Sequence, residues 1–441
     1  MRLKIILCKS KYLNFLILVL LVAIVYWPVL FNHFLMLWDD QWVCINDYTE
    51  SGLTIKNIWN VLTEFYGAQY APINELYYIL MYTFFGYNPF WFHLGGVFIH
   101  LANVLLVYIF INRLLLQAKD VELDSAKRIA FFSAILFAIH PILVEPVAWI
   151  GASKVLIYAF FYLLALIAYL KYIRSNQPVF YLLVFFCFFI SFGAKEQAVV
   201  LPLCLLLVDY ILKRNFRDKQ VWLEKIPFFL QSIFFGIITM YSQSVFDCGI
   251  LSDQNSYPFF QRIVFACYSI MEYLTKCLIP IRLSYIYPFP NQVGDPVPNQ
   301  FLIYPFIIAF LVMSLWSFWK KRWVLFSVLF FLIHLLLVLN IVSISRFSIV
   351  ADRYAYISSI GVFFLLAWLL NVIIVKYKKY FLIAATVCII YVVYLITYAH
   401  SRTYVWYDYK TLKNELIMSI QKRPDYNPKT KKINIESTIK Y

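Results

Sequence analysis

Residues 12–42 read YLNFLILVLLVAIVYWPVLFNHFLMLWDDQW. The first part, 12–31, carries no charge and is long enough to cross a hydrocarbon core, which takes about 20 residues. It has no small-residue cleavage site, so it reads as an uncleaved first span rather than a signal peptide. The run then ends on two adjacent acids, Asp39 and Asp40, where a helix leaves the bilayer. Carboxylates are costly at that depth, and a pair held there marks a functional position.

Working outward, the composition fixes the class. Of 441 residues, 63% are hydrophobic, 20% aromatic and 14% charged, too little polar surface to cover the apolar side chains in water. The expected fold is an all-α polytopic membrane protein. Further apolar runs lie near 91–113, 128–145, 152–172, 179–193, 198–212, 226–243, 301–319, 323–341, 355–375 and 380–399, which with 12–31 makes eleven expected spans.

The net charge of +15 does not point to nucleic acid, because Lys and Arg cluster between apolar runs. That is the positive-inside pattern. It places the N-terminus (Arg2, Lys4, Lys9, Lys11) in the cytoplasm of a multi-pass plasma (inner) membrane protein, with the tail 400–441 outside. The threading requires residues 244–300 to begin and end outside. The stretch 262–281 therefore reads as an interfacial or re-entrant helix, since it carries Arg262, Glu272 and Lys276. Residues 1–399 form one transmembrane domain with a long first external loop at 32–90.

Within that loop, 53–66 has the apolar spacing of an amphipathic interfacial helix, and 74–85 reads as a second. In the tail a short helical pattern covers 409–420, and the rest has a disordered composition. Cys187, Cys204 and Cys388 lie inside apolar runs and read as core residues. Cys44 and Cys248 are both placed outside, and nothing in the sequence supports a disulfide between them.

The unusual polar residues gather at the external ends of spans. Asp39 and Asp40 follow the first; Gln69, Tyr70, Asn74, Glu75 and His93 lie before or at the start of the second. His140 and Glu145 end the third, Lys154 opens the fourth, and Lys195 with Glu196 joins the fifth and sixth. Arg346, Asp352, Arg353 and Tyr354 lie between the ninth and tenth. A one-sided ring of this kind fits a cavity at one leaflet, whereas a transport path needs polar groups near the midplane.

Lipid-linked sugar chemistry places its demands at that depth. Breaking a sugar–phosphate bond leaves a phosphate anion that needs cations, for which Lys154, Lys195, Arg346 and Arg353 are candidates. The attacking hydroxyl needs a base, for which Asp39 and Asp40 are candidates. The two acids also leave a divalent cation open as a cofactor, and nothing else in the chain has metal-ligand spacing. Each residue has a plainer reading: Asp39 and Asp40 as a span terminus, Lys154 and Arg353 as snorkelling anchors, His140 as a helix breaker, Lys195–Glu196 as a turn ion pair. His93 and His100 share one helical face and read as packed polar residues.

Taken together, the motifs resemble a known family. They run in order through Trp38–Asp40, Tyr70–Pro72, Gly86–Pro89, Phe92–Leu94, His100–Asn103, His140–Trp149, Ser153–Lys154, Ala194–Glu196, Asp209–Tyr210 and Ala351–Tyr356. This resembles the bacterial relatives of the TMTC-type and PMT-type protein O-mannosyltransferases, within the GT-C glycosyltransferase superfamily. The resemblance implies a polyprenyl-phosphate monosaccharide donor and inverting transfer to a hydroxyl of a protein, lipid or glycan, on the extracytoplasmic face. It sets the family's acidic pair on Asp39 and Asp40, with Asp39 favoured as base. It sets a His-Pro-(x)3-Glu segment on His140 and Glu145, and an Asp-Arg-Tyr on Asp352, Arg353 and Tyr354. Ala71 stands where some relatives carry an Arg. Many relatives continue into external tetratricopeptide repeats; here Trp406, Leu412, Glu415 and Pro424 resemble only the lead-in.

Two other classes are weighed. A transporter or flippase of lipid-linked sugar needs a polar path through the midplane, which the sequence lacks. A non-catalytic membrane scaffold has no need of the acids together with external cations.

Overall fold

The computed structural model describes residues 11–67, 69–244, 257–314, 316–341 and 348–421. Among them the chain is helical, with only two isolated bridges, Tyr66 to Gln69 and Tyr287 to Val350.

Helix α1 (Lys11–Tyr26) continues as a 3-10 turn through Trp27–Phe31. The first loop holds α2 (Ile55–Thr63) and α3 (Pro72–Phe85). The Thr54 hydroxyl caps α2 by accepting from Asn57 N, and the Asn57 amide donates to Tyr48 O at 2.7 Å and Gly52 O at 2.8 Å. Helix α4 (Pro89–Ala118) opens on a proline after an Asn88 cap. Helix α5 (Leu123–Ile139) and the short α6 (Val144–Ala148) are separated by a break at His140–Pro141, where the chain bends by 58°. Then come α7 (Ser153–Ser175), α8 (Pro178–Ala194), α9 (Leu201–Ile211) and α10 (Ile226–Ser244). The rest comprises α11 (Phe259–Leu278), α12 (Tyr304–Ser314), α13 (Arg322–Leu335), α14 (Ala355–Lys376), α15 (Phe381–Thr403) and α16 (Tyr409–Gln421).

Among the described residues six helices are long and apolar enough to cross a membrane, and seven if the bent pair α5–α6 is one span. This is fewer than the eleven expected. The expected runs at 12–31, 91–113, 128–145, 152–172, 226–243, 355–375 and 380–399 fall on those seven. The run at 179–193 is a 17-residue helix, about 25 Å long against a core of about 30 Å. The run at 198–212 forms an α-helix of only 11 residues, entered through a 3-10 helix at Glu196–Val200. The runs at 301–319 and 323–341 give the shorter helices Asn299–Ser314 and Arg322–Val338.

Of the stretch 262–281, residues 262–278 belong to one amphipathic helix, α11 (Phe259–Leu278). Val264, Phe265, Ala266, Ser269, Tyr273, Lys276 and Cys277 are its buried residues, and their spacing lines one face. The helix packs toward α14: the Tyr273 hydroxyl accepts from Ala351 N at 3.0 Å. The tail pattern at 409–420 is helix α16, while the tail beyond 421 lies outside the described residues. Cys44, Cys187 and Cys204 are buried free thiols, Cys388 is half-buried, and Cys248 lies outside the described residues.

Close contact between α13 and α14 rests on a small residue. A Cβ on Gly361 of α14 would lie 2.5 Å from Ser327 O of α13, so only glycine permits this approach. At one end of the bundle a buried ionic group ties α7, α9 and the start of α10. Lys225 Nζ lies 2.6 Å from Asp209 Oδ2, Arg214 Nη1 lies 2.6 Å from Glu224 Oε2, and the Tyr169 hydroxyl donates to Asp209 at 2.6 Å. The candidate site is at the other end.

Candidate active site

The break between α5 and α7 builds the floor of the site. His140 ends α5, and its Nδ1 accepts the Ile142 N–H at 3.3 Å, capping the turn that Pro141 begins. The chain then passes through α6 and a 3-10 turn at Ile150–Ala152, which aims the Trp149 indole and the Gly151 N–H at the first loop.

Asp40 receives them. Its Oδ1 accepts from Trp149 Nε1 at 2.9 Å and from Gly151 N at 2.8 Å, and its Oδ2 accepts from Leu35 N at 2.8 Å. The residue is fully buried. Burial pushes its carboxyl up to about 7, opposed by those three donors and reinforced by the neighbouring Asp39. A Cβ on Gly151 would lie 2.8 Å from Asp40 Oδ1 and 2.9 Å from Trp149 Nε1, so the approach needs glycine.

Asp39 differs in kind. It is half-buried, and its Oδ1 accepts only the Trp42 Nε1 proton, at 3.2 Å. It lies within electrostatic reach of Arg353. Arg353 is anchored from behind by buried Glu145: Nη1 pairs with Oε1 at 2.5 Å, and the Arg353 backbone N–H donates to Oε2 at 2.8 Å. Its guanidinium sits 5.5 Å from the Trp149 ring and 5.0 Å from the Tyr354 ring.

The other two described cations join this group. Lys195 is buried, lies 5.5 Å from the Tyr354 ring and pairs with Glu196 at 3.6 Å. Lys154 donates to Gln69 Oε1 and lies within electrostatic reach of Lys195, Glu196, Tyr354 and Arg353. Asp39, Lys154, Lys195, Glu196, Arg353 and Tyr354 therefore form one assembly, drawn from four separate chain segments.

The first loop supplies a wall. Asn74 is buried and its Oδ1 accepts from Ser153 Oγ at 2.9 Å. Beside it Glu75, with Trp42, Tyr48, Glu64 and Tyr66, lines a recess of about 20 Å³, room for a water rather than a sugar ring. Burial pushes the Glu75 carboxyl up to about 7, opposed by the Asn46 amide at 3.3 Å and by Lys154.

Other expected residues fall elsewhere. His93 is buried beside Asn32 and His33, and His140 is enclosed against Phe363 at 4.8 Å, so neither presents a face to a substrate. The Tyr70 hydroxyl is taken by Leu62 O at 2.9 Å. Asp352 is buried, accepts the Tyr287 hydroxyl at 2.8 Å and lies within reach of Lys276 and Arg402, a satellite behind the site. Arg346 lies outside the described residues. His100 donates to or accepts from the Tyr356 hydroxyl at 2.7 Å, the packed polar role expected of it.

The structure adds residues outside the expected site set, although Trp149 and Trp406 fall within motifs quoted above. Trp149 and Gly151 hold Asp40, and Trp406 stacks on Trp149 at 5.8 Å. Indole and glycine carry no ionisable group, so only their place in the fold exposes them. Among the described residues no group of three or more His, Cys, Asp or Glu side chains could hold a metal ion. Asp40 has both oxygens engaged, so the arrangement does not fit a metal held jointly by Asp39 and Asp40.

No family model matches the chain. Over 208 residues, 41% of the chain, it is 29% identical to the human protein O-mannosyl-transferase TMTC1, and the match covers 22% of that protein. Over 153 residues, 32% of the chain, it is 27% identical to the human protein O-mannosyl-transferase TMTC4, covering 20% of it. Both of these relatives are protein O-mannosyl-transferases by name. The matched region spans about a fifth of the length of these two relatives. Among solved structures, the archaeal oligosaccharyltransferase AglB from Archaeoglobus fulgidus, in complex with an inhibitory peptide and a dolichol-phosphate, aligns at TM-score 0.45 and 12% identity. That alignment covers 94% of this chain and 58% of that one.

Proposed function

We propose that the chain is a membrane glycosyltransferase that moves a monosaccharide from a polyprenyl-phosphate donor to a hydroxyl. Asp39 takes the hydroxyl proton as the acceptor oxygen attacks the anomeric carbon. The new C–O bond forms opposite the breaking sugar–phosphate bond, so the anomeric centre inverts. The leaving phosphate gains its negative charge beside Lys154, Lys195 and Arg353, where fixed cations stabilise the transition state more than the ground state. Asp40 positions the loop that carries Asp39 and does not meet substrate.

The observation that carries this reading is a half-buried carboxylate, Asp39, within electrostatic reach of an Arg353 already oriented by Glu145. The names of the sequence relatives favour mannose as the sugar and a protein hydroxyl as the acceptor; a lipid or a glycan acceptor uses the same chemistry. The site faces the extracytoplasmic side of the plasma membrane in this reading, with the N-terminus cytoplasmic.

The test is transfer from radiolabelled polyprenyl-phosphate mannose by purified protein in liposomes, with a Ser/Thr-rich peptide, a glycolipid and an oligosaccharide offered separately. Labelled product from the wild type and none from folded Asp39→Asn supports the proposal. Equal product from the variant overturns the role of Asp39. Movement of the donor across the bilayer without any transfer overturns the enzyme reading in favour of a flippase.

A further inference from the structure

A second recess, of about 490 Å³, opens between α1, α5, α14 and α15. It lies at the far end of the bundle from Asp39. Helix α5 runs from Leu123 at this recess to Ile139 beside the candidate site, and its 17 residues span about 25 Å. The volume is within the range of about 300–1,000 Å³ usual for small-ligand pockets.

Its walls and rim differ in chemistry. Phe131, Phe132, Phe381 and Ile389 form an apolar wall, and Glu122, Asp124, Lys127, Arg128 and Lys378 form the rim. Arg128 is committed inward, donating to Asn371 Oδ1 at 3.0 Å and to Ser125 Oγ at 2.9 Å. Among the described residues no ion pair engages Lys127, Lys378 or Glu122. Helix α15 is bare along most of its length: only 6% of its apolar span is buried. The recess therefore opens sideways, toward lipid, between helices that themselves cross the bilayer.

We propose that this recess binds one aminophospholipid of the surrounding bilayer. Its phosphate sits at Lys127 and Lys378, its ammonium at Glu122, and one acyl chain lies along Phe131, Phe132, Phe381 and Ile389. A rim of both signs selects a headgroup of both signs. A purely anionic headgroup satisfies the lysines but meets Glu122 as a like charge. A sterol or free fatty acid leaves one sign of the rim unused. Basic pockets between helices at one membrane face are a recurrent lipid-binding form, and the acid on this rim is what narrows the class. The site is independent of the transfer chemistry at the other end.

The experiment is native mass spectrometry of the full chain released from micelles containing equal amounts of phosphatidylethanolamine, phosphatidylglycerol and phosphatidylcholine. The expected result is a retained phosphatidylethanolamine adduct, with about tenfold less phosphatidylglycerol, a difference of about 1.4 kcal/mol. Glu122→Gln removes the preference between those two lipids, and the double variant Lys127→Gln, Lys378→Gln weakens retention of both. Should the charge variants fail to fold, Ile389→Trp, which fills the recess and changes no charge, must abolish the adduct. Absence of any retained lipid, equal retention of phosphatidylglycerol by the wild type, or an adduct that survives Ile389→Trp overturns the proposal.

Discussion

The Trp149 indole donates to Asp40 Oδ1 at 2.9 Å, joining two residues 109 positions apart. This bond, with the Gly151 N–H beside it, fastens the first loop to the break between α5 and α7. It uses Asp40 as a tether and leaves Asp39 as the reachable acid.

The two acids are therefore expected to separate by assay. Asp39→Asn should fold normally and lose transfer by about 10²–10⁴-fold, the usual scale for a general base. Asp40→Asn sets an amide N–H against the Leu35 N–H and should cost about 1–3 kcal/mol of stability. Thermal unfolding in detergent, run beside the transfer assay, distinguishes them; a stable, active Asp40→Asn protein contradicts the tether.

Glu145 should matter through Arg353. Glu145→Gln weakens the ion pair at 2.5 Å and leaves a guanidinium that is only 24% exposed without its charge partner. A buried pair broken this way costs about 3–5 kcal/mol, and partial exposure brings the expectation down to about 2. Arg353→Lys keeps the charge but cannot span Glu145 and the site together. Its expected signature is a raised KM for the lipid donor with a smaller fall in kcat, read from initial rates.

Two glycines give a contrast. Gly361→Ala drives a Cβ to within 2.5 Å of the Ser327 carbonyl and should lower the unfolding temperature, at a cost of about 1–3 kcal/mol. Gly151→Ala wedges between Asp40 and Trp149 and should reduce transfer more than it reduces stability. Equal behaviour of the two variants in both assays counts against a special role for Gly151.

Glu75 predicts a pH dependence of stability. Its carboxyl is raised from 4.5 to about 7, so the folded state holds a proton there that the unfolded state has lost. Its contribution is present in full below about pH 4.5, and is lost as the pH rises through about 7. Asp40, also raised to about 7, acts in the same direction. The unfolding temperature should fall between pH 5 and pH 8, and Glu75→Gln should flatten part of that slope. A variant with the wild-type slope excludes Glu75 as a source.

Much of the membrane architecture was legible because an uncharged apolar run has few alternatives to crossing lipid. The expectation at 91–113 meets Pro89–Ala118, and that at 355–375 meets Ala355–Lys376. The length of the helix at 198–212 was not legible for the same reason: Leu-rich sequence looks alike whether it faces lipid or packs inside, and here it gives a 3-10 helix at Glu196–Val200 followed by an 11-residue α-helix. His93 and His140 carry the chemistry of a site residue in sequence, but burial, which sequence does not show, encloses both.

By itself, the sequence determined that this chain lives in a bilayer and that its ionisable residues fall mostly at the ends of its apolar runs rather than inside them. Those are consequences of solvation, which each segment settles locally. It did not determine which of two neighbouring aspartates is free. Asp39 and Asp40 are chemically identical, and they differ because one helical step turns successive side chains by about 100°. That turn brings Asp40 onto the Trp149 and Gly151 donors and leaves Asp39 off them, half-buried and within electrostatic reach of Arg353; these partners come from segments more than a hundred residues away.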